Sequence, residues 1–179
     1  MARQTARYSG STESFLEKFN ARLRALSTSH DVLVQEEWQS ASLADLVRLQ
    51  LGPYLDRSEP QVSVEGPTVL LKPEAAPNLG FALHELATNA AKYGALSVPE
   101  GRVSIAWRWL SEANGNGVEF DWVESGGPAV EPPAHRGFGS MVIEHNLARG
   151  LDTKVDLAFR AEGVQCKVLF PPGQLAAMR

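Results

Sequence analysis

Four segments in the second half of this chain alternate apolar and polar residues with the period of a strand. Val103, Ile105, Trp107 and Trp109 form one, and Val118, Phe120 and Trp122 a second. Val155, Leu157 and Phe159 form a third, and Val164, Cys166, Val168 and Phe170 a fourth. Such a strand has one apolar face, and that face must be buried against another layer. The first two are joined by a turn segment around 113–117 (ANGNG), and the last two close the chain as a second hairpin. Earlier, VSV (62–64) and TVLL (68–71) flank Gly66-Pro67 and read as strands. Helices interrupt the series. Pro73 opens a long one at the first helical position, which suits proline, and it stops at Gly94 after Tyr93. Another spans about Ser140 to Arg149 and ends at Gly150. Hairpin strands broken by helices predict an α/β two-layer sandwich: a mixed, mostly antiparallel sheet covered by helices.

The first third of the chain has a different period. Leu16, Phe19, Leu23, Leu26, His30 and Leu33 are spaced 3, 4, 3, 4, 3, the seam of a helix lying along another helix. Ser11 or Thr12 is its N-cap, with Glu13 and Glu17 near the positive end of the dipole. Ser42 caps a second helix, Leu43, Leu46, Val47 and Gln50 mark its face, and Gly52-Pro53 stops it. Residues 1–57 are therefore expected as a helical segment preceding a domain over 58–179. Residues 1–8 are too short to cover the seam, so the natural protein is expected to extend upstream.

The 179 residues carry 17 Lys+Arg against 21 Asp+Glu, a formal net charge of -4. This mild acidity gives no reason to expect nucleic acid, which selects a basic face. No run approaches the ~20 apolar residues of a membrane span, and MARQTARYSG is no secretory signal. The single Cys166 excludes an internal disulfide and a cysteine-cluster zinc site. A reducing, cytoplasmic setting without membrane contact is the expectation.

Three segments carry candidate chemistry. In FALHELATNAAKYGALS (81–97), Glu85, Asn89 and Lys92 share one helix face, while Leu83, Leu86, Ala87 and Ala90 serve the core. Asn89 offers an oxygen to a magnesium ion without adding negative charge beside phosphates. Lys92 offers a point charge for phosphate, and Glu85 can orient or deprotonate an attacking group. A solvated face whose Glu-to-Lys spacing merely supports the helix explains the same pattern. In DWVESGGP (121–128), Glu124 ends a strand before Gly126-Gly127. A carboxylate there can accept a purine's exocyclic amine, and glycines let the backbone approach a ligand. In HRGFGSMVIE (135–144), Gly137 and Gly139-Ser140 precede a helix, whose N-terminal N–H groups suit phosphate. Taken singly, the last two are also an ordinary turn and an ordinary cap. Their order within ~60 residues of an α/β layer is far more specific.

HELATNAAKYGALS (84–97) resembles the asparagine box of the ATP-binding domain of sensor histidine kinases, in the superfamily of gyrase B, the heat-shock chaperones and MutL. His84 before Glu85, and Trp122-Val123-Glu124 where most such kinases have an aspartate motif, resemble the HWE histidine kinases. LRALSTSHDVL (23–33), Trp38 and SLADLVRLQLGPY (42–54) are similar to that family's segment before the ATP domain. The resemblance covers nearly the whole chain. It implies the Bergerat ATP-binding fold, with ATP and Mg2+ as cofactors. Asn89 is then the magnesium ligand, and Glu85, with His84 beside it, the acid assisting transfer. Lys92 and Tyr93 lie along the nucleotide, and Glu124 reads the adenine amine with Gly126 giving close approach. Gly137, Gly139 and Ser140 line the phosphates, and 125–139 form a lid.

The family's phosphoacceptor motif, His-Arg-x-x-Asn, is absent from this sequence. The resemblance therefore implies transfer of the ATP γ-phosphate to a histidine on an upstream segment, for relay to a response regulator receiver domain. Upstream sensory and phosphoacceptor segments are the implied partners. His30 precedes Asp31 as acceptors often precede an acid, but its seam position marks it as packed. A histidine phosphotransfer adaptor with a non-catalytic ATP-like domain is the competing reading. Against it stand Glu85, Asn89, Lys92, Glu124 and the glycines, all present. The Trp-x-Glu and the upstream helices speak against a third, a serine kinase of the anti-sigma type on the same fold.

Overall fold

A computed structural model describes Thr5 and residues 11–35, 39–55, 61–111, 116–130 and 138–177. Helix α1 (Thr12–Gln35) is followed by β1 (Ala41–Ser42) and α2 (Leu43–Leu55). Then come β2 (Val62–Glu65), β3 (Leu70–Leu71), α3 (Ala75–Lys92), β4 (Arg102–Leu110) and β5 (Gly117–Ser125). Another helical run is α-helical at α4 (Phe138–Met141), π-helical over Val142–Asn146 and α-helical again at α5 (Leu147–Leu151). Hairpin β6 (Val155–Arg160) and β7 (Gly163–Phe170) completes the fold. The boundary expected between 57 and 58 lies outside the described residues, as does Trp38.

The five-stranded sheet runs β2-β4-β5-β7-β6, with β2 parallel to β4 and every other pair antiparallel. The expected mixed, mostly antiparallel sheet is thus present. Its register aligns the alternating residues in rows: Ile105 opposite Trp122, Trp122 opposite Cys166, and Cys166 opposite Leu157. One face of β4, β5 and β7 is accordingly buried, against Leu79, Leu83 and Leu86 of α3 and Ile143, Leu147 and Leu151 beyond it. Trp107 stacks on Phe120, which meets Phe170 edge-on. Trp107 and Trp122 are core, whereas Trp109, at the far end of its strand, is exposed. The opposite face carries a charged row in which Glu119 takes both Arg108 and Lys167. Burial, with nearby Asp156, Glu144 and Asp121, pushes the Cys166 thiol up to about 12. No helix among the described residues is long and apolar enough to cross a membrane.

Several boundaries differ from expectation for identifiable reasons. The segments flanking Gly66-Pro67 are strands as expected, though in different sheets: β2 pairs with β4 and the shorter β3 with β1. The intervening chain is pinned beneath Trp107, whose indole N–H donates to the Pro67 carbonyl at 2.7 Å. A Cβ on Gly66 would stand 2.3 Å from that ring, so only glycine fits there. Ser42 does cap α2, accepting from the Asp45 N–H. Pro53 does not stop that helix, which runs two residues further. A proline in the last turn deprives only the Leu49 carbonyl, while Tyr54 and Leu55 gain contact with the core. Helix α3 begins two residues after Pro73. The last helix ends not at Gly150 but at Asp152, which takes the left-handed cap at φ 49°. Gly150 is instead a point of close approach, where a Cβ would meet the Asn78 side chain of α3 at 2.4 Å.

Helix α1 buries its leucine seam only in part: Leu33 is buried, and Phe19, Leu26 and His30 are partly so. Arg22, Ala25, Ser29, Val32 and Leu33 are buried, while Leu16 and Leu23 are 51% and 43% exposed. The stripe is small at Ala25 and Ser29, where three helices meet. Gln50 of α2 donates to the Ala25 carbonyl at 2.8 Å and to Ser29 Oγ at 3.2 Å, directly over Gly80 of α3.

Candidate functional site

Helix α3 carries His84, Glu85, Asn89 and Lys92 on its sequence, with Tyr93 as C-cap. Its apolar stripe, including Leu79, Leu83 and Leu86, is held on the sheet, which fixes the direction of the polar positions between. Strand β5 supplies Glu124 on its buried face, and α4 supplies Gly139 and Ser140. These elements enclose a cavity of about 370 Å³. Asn89, Tyr93, Glu124, Gly139 and Ser140 line it together with Gly94. Leu86, Val130, Ile143, Leu157, Phe159 and Val164 make the rest of its wall apolar. Its size and its few polar groups among apolar ones suit a flat heteroaromatic ligand.

Glu124 is 3% exposed, yet both carboxylate oxygens have donors. The Ala95 N–H donates to Oε2 at 2.9 Å and the Trp122 indole N–H to Oε1 at 3.2 Å. Burial raises the Glu124 pKa above its ordinary value, against those two bonds, which lower it. Tyr93 is 74% exposed and stands at the mouth of the cavity.

Glu85 sits at the other end, beside α4. A Cβ on Gly139 would stand 3.0 Å from Glu85 Oε2 and 3.3 Å from Asn89 Nδ2, so both polar groups converge on a glycine backbone. Glu85 Oε1 accepts from Arg22 Nε of α1 at 2.9 Å, and Arg22 Nη1 donates to Thr5 Oγ1. His84 is half-buried, and burial holds its pKa below the ordinary value. Glu85 beside it opposes that, while Arg22 and Lys92 add to it.

His84, Glu85, Lys92 and Gly126 do not line the cavity itself, and Lys92 is exposed. Gly126 adopts φ +66° and, with Gly127, brings the backbone against the 94–101 turn; a Cβ on Gly126 would meet the Glu100 carbonyl at 2.9 Å. Gly137 lies outside the described residues, as do His135 and Arg136. Among the described residues no group of three or more His, Cys, Asp or Glu is gathered as a metal site. One carboxamide faces Gly139 through Nδ2, and one carboxylate through the oxygen that Arg22 does not take. Sequence reasoning missed Arg22, which carries no local signature, and the apolar wall. Leu157, Phe159 and Val164 had a signal in their strand alternation, but it marks them only as inward-facing.

Residues 1–68 match the family model described as HWE histidine kinase. A blue-light-activated histidine kinase of Brucella anthropi is 36% identical over 171 residues, or 96% of this chain. The chain is thus similar to the HWE histidine kinases over residues 1–68 and to blue-light-activated histidine kinases over 96% of its length. The chain spans 35% of the length of the curated relatives it matches, including a 37% identical one of Brucella ovis. Its fold is similar to the histidine kinase domain of a blue-light-activated histidine kinase from Erythrobacter litoralis. That match has a TM-score of 0.66 at 16% identity and covers 96% of this chain and 95% of that one. A second fold match, at TM-score 0.51 and 18% identity, is the ATP-binding domain of PrrB from Mycobacterium tuberculosis; it covers 74% of this chain and 96% of that one.

Proposed function

We propose that this chain is the ATP-binding catalytic region of a histidine protein kinase, with ATP held in the cavity between α3, β5 and α4. The observation that carries the reading is convergence. Asn89 and Tyr93, Glu124, and Gly139 with Ser140 come from three separate segments and line one cavity. In this reading the apolar walls take the adenine faces, and Glu124 accepts a hydrogen bond from its exocyclic amine. Gly139 and Ser140 present backbone N–H groups at a helix start to the phosphates, Tyr93 covers the mouth, and Lys92 and Gly126 flank the nucleotide. Asn89 is the protein ligand of Mg2+, with Glu85 opposite it across Gly139. When bound, Mg2+ supplies neutralisation of the charge on the transferring phosphoryl group. Glu85 orients the incoming acceptor imidazole, and His84, kept neutral by burial, adds no charge beside it. The acceptor is a histidine on a segment upstream of this chain, and the phosphoryl group then passes to an aspartate of a response regulator receiver domain. Upstream sensory segments govern that transfer.

Calorimetric titration with Mg-ATP tests the reading on this chain and on Asn89→Ala. Saturable, magnesium-dependent binding is expected, and it is lost or weakened more than tenfold in the variant. A folded wild type that fails to bind at millimolar ATP would overturn the catalytic reading in favour of the adaptor.

A further inference from the structure

We propose that Trp122 and Gly94 are positioning residues that aim the Glu124 carboxylate, making the cavity selective for a purine that presents an exocyclic amine over one that presents a carbonyl. The proposal rests on the nucleotide reading of the cavity. Its basis is the surroundings of one carboxylate. Glu124 is withdrawn from water, and a carboxylate so placed is retained only where donors replace its hydration. Trp122 lies two residues earlier on β5, hence on the same face, and its own indole is fully buried. Its N–H reaches Glu124 Oε1, while the Ala95 N–H reaches Oε2. Each oxygen thus takes one bond from the protein and keeps one lone pair for a ligand. Two donors on two oxygens fix the plane of the carboxylate.

Gly94 is what admits the carboxylate to the Ala95 N–H. Its φ of -111° and ψ of -151° are open to any residue, so conformation does not demand glycine there. Space does: a Cβ would stand 2.2 Å from Glu124 Oε2. The end of α3 and the end of β5, far apart in sequence, therefore interlock through this side chain. A carboxylate fixed in this way has only acceptors to offer. A purine with a carbonyl at the same position turns acceptor on acceptor and leaves the buried oxygen without its ligand donor.

The test compares ATP and inosine triphosphate, which carries oxygen in place of the amine, by calorimetry on the full chain. The wild type is expected to favour ATP by about 10- to 100-fold, the range of one hydrogen bond to a charged group. Trp122→Phe keeps an aromatic ring but removes the N–H. Gly94→Ala leaves the indole in place and pushes the carboxylate aside. Both are expected to lose ATP affinity about tenfold and inosine triphosphate affinity less than twofold, so the preference collapses. A role in packing alone weakens both nucleotides equally. An unmoved ratio in the folded variants therefore overturns the proposal while leaving the nucleotide reading intact. Failure of the folded wild type to bind either nucleotide overturns the nucleotide reading, and the proposal with it. If Trp122→Phe does not fold, as judged by thermal unfolding, Gly94→Ala decides alone.

Discussion

Arg22 and Glu85 are 63 residues apart and meet at 2.9 Å, with side chains only 7% and 13% exposed. An ion pair this deep gains little net stability from its attraction, because both charges have left water. Removing one partner is different, since the other charge stays buried and uncompensated. Arg22→Met is therefore expected to lower the unfolding free energy by about 3 kcal/mol in urea denaturation. Glu85→Gln, which keeps an acceptor for the guanidinium, is expected to cost about 1 kcal/mol. The double change Arg22→Met with Glu85→Leu should recover most of the loss. If it recovers nothing, the cost lies in the bond from Arg22 to Thr5 rather than in the stranded carboxylate. At this scale the sequence was uneven. Asn89, Glu124 and Gly139 belong to local patterns with a recognisable spacing. Arg22 looks like any charged residue on a helix, because its partner comes from a distant element.

Elements were legible where local chemistry decides them and less so where tertiary contact overrides it. Ser42 caps α2 as its position predicts, and the alternating residues of β4, β5 and β7 face the core. In α1 the leucine seam is buried only at Leu33 and partly at Phe19, Leu26 and His30, and the tightest contact falls on Ala25 and Ser29 beside it, which no apolar period marks. Gly80 shows the physical reason. A glycine inside a helix ordinarily costs about 1 kcal/mol relative to alanine, so Gly80→Ala should stabilise an isolated α3. In the folded chain its Cβ would lie 2.0 Å from Ser29 Oγ and 3.2 Å from Gln50 Nε2. The expected outcome is a loss of about 1–3 kcal/mol, the range for overpacking a well-filled core. Ser29→Ala removes the clashing oxygen, so the double variant should regain part of the loss. Thermal denaturation of the four proteins measures this, and a stabilised Gly80→Ala would mean that α1 yields easily at this crossing.

Across the whole molecule, alternation told which residues face inward but not the order of the strands. The parallel pairing of β2 with β4 depends on a crossover through α3 that no local period encodes. The packed layers also set how stability answers to pH, through two buried groups shifted in opposite senses. Burial lifts Glu124 above 4.5, opposed by the bonds from Ala95 and Trp122. Between 4.5 and that raised value the native chain holds more protons than the unfolded one. Stability from this group is therefore full below pH 4.5 and declines as pH rises through the window. Burial depresses His84 below 6.5, with Glu85 opposing and Arg22 and Lys92 adding. Between that lowered value and 6.5 the unfolded chain holds more protons, so stability is lost as pH falls through the window. The two slopes are opposite in sign, the Glu124 window opening upward from 4.5 and the His84 window downward from 6.5. Glu124→Gln is expected to abolish the decline that starts above pH 4.5 and to leave the rise toward 6.5. His84→Gln should do the reverse. Urea midpoints at constant m-value, taken from about pH 4 to about pH 7, separate the two. A Glu124→Gln profile parallel to wild type would mean that the donors from Trp122 and Ala95 fully offset the burial of this carboxylate.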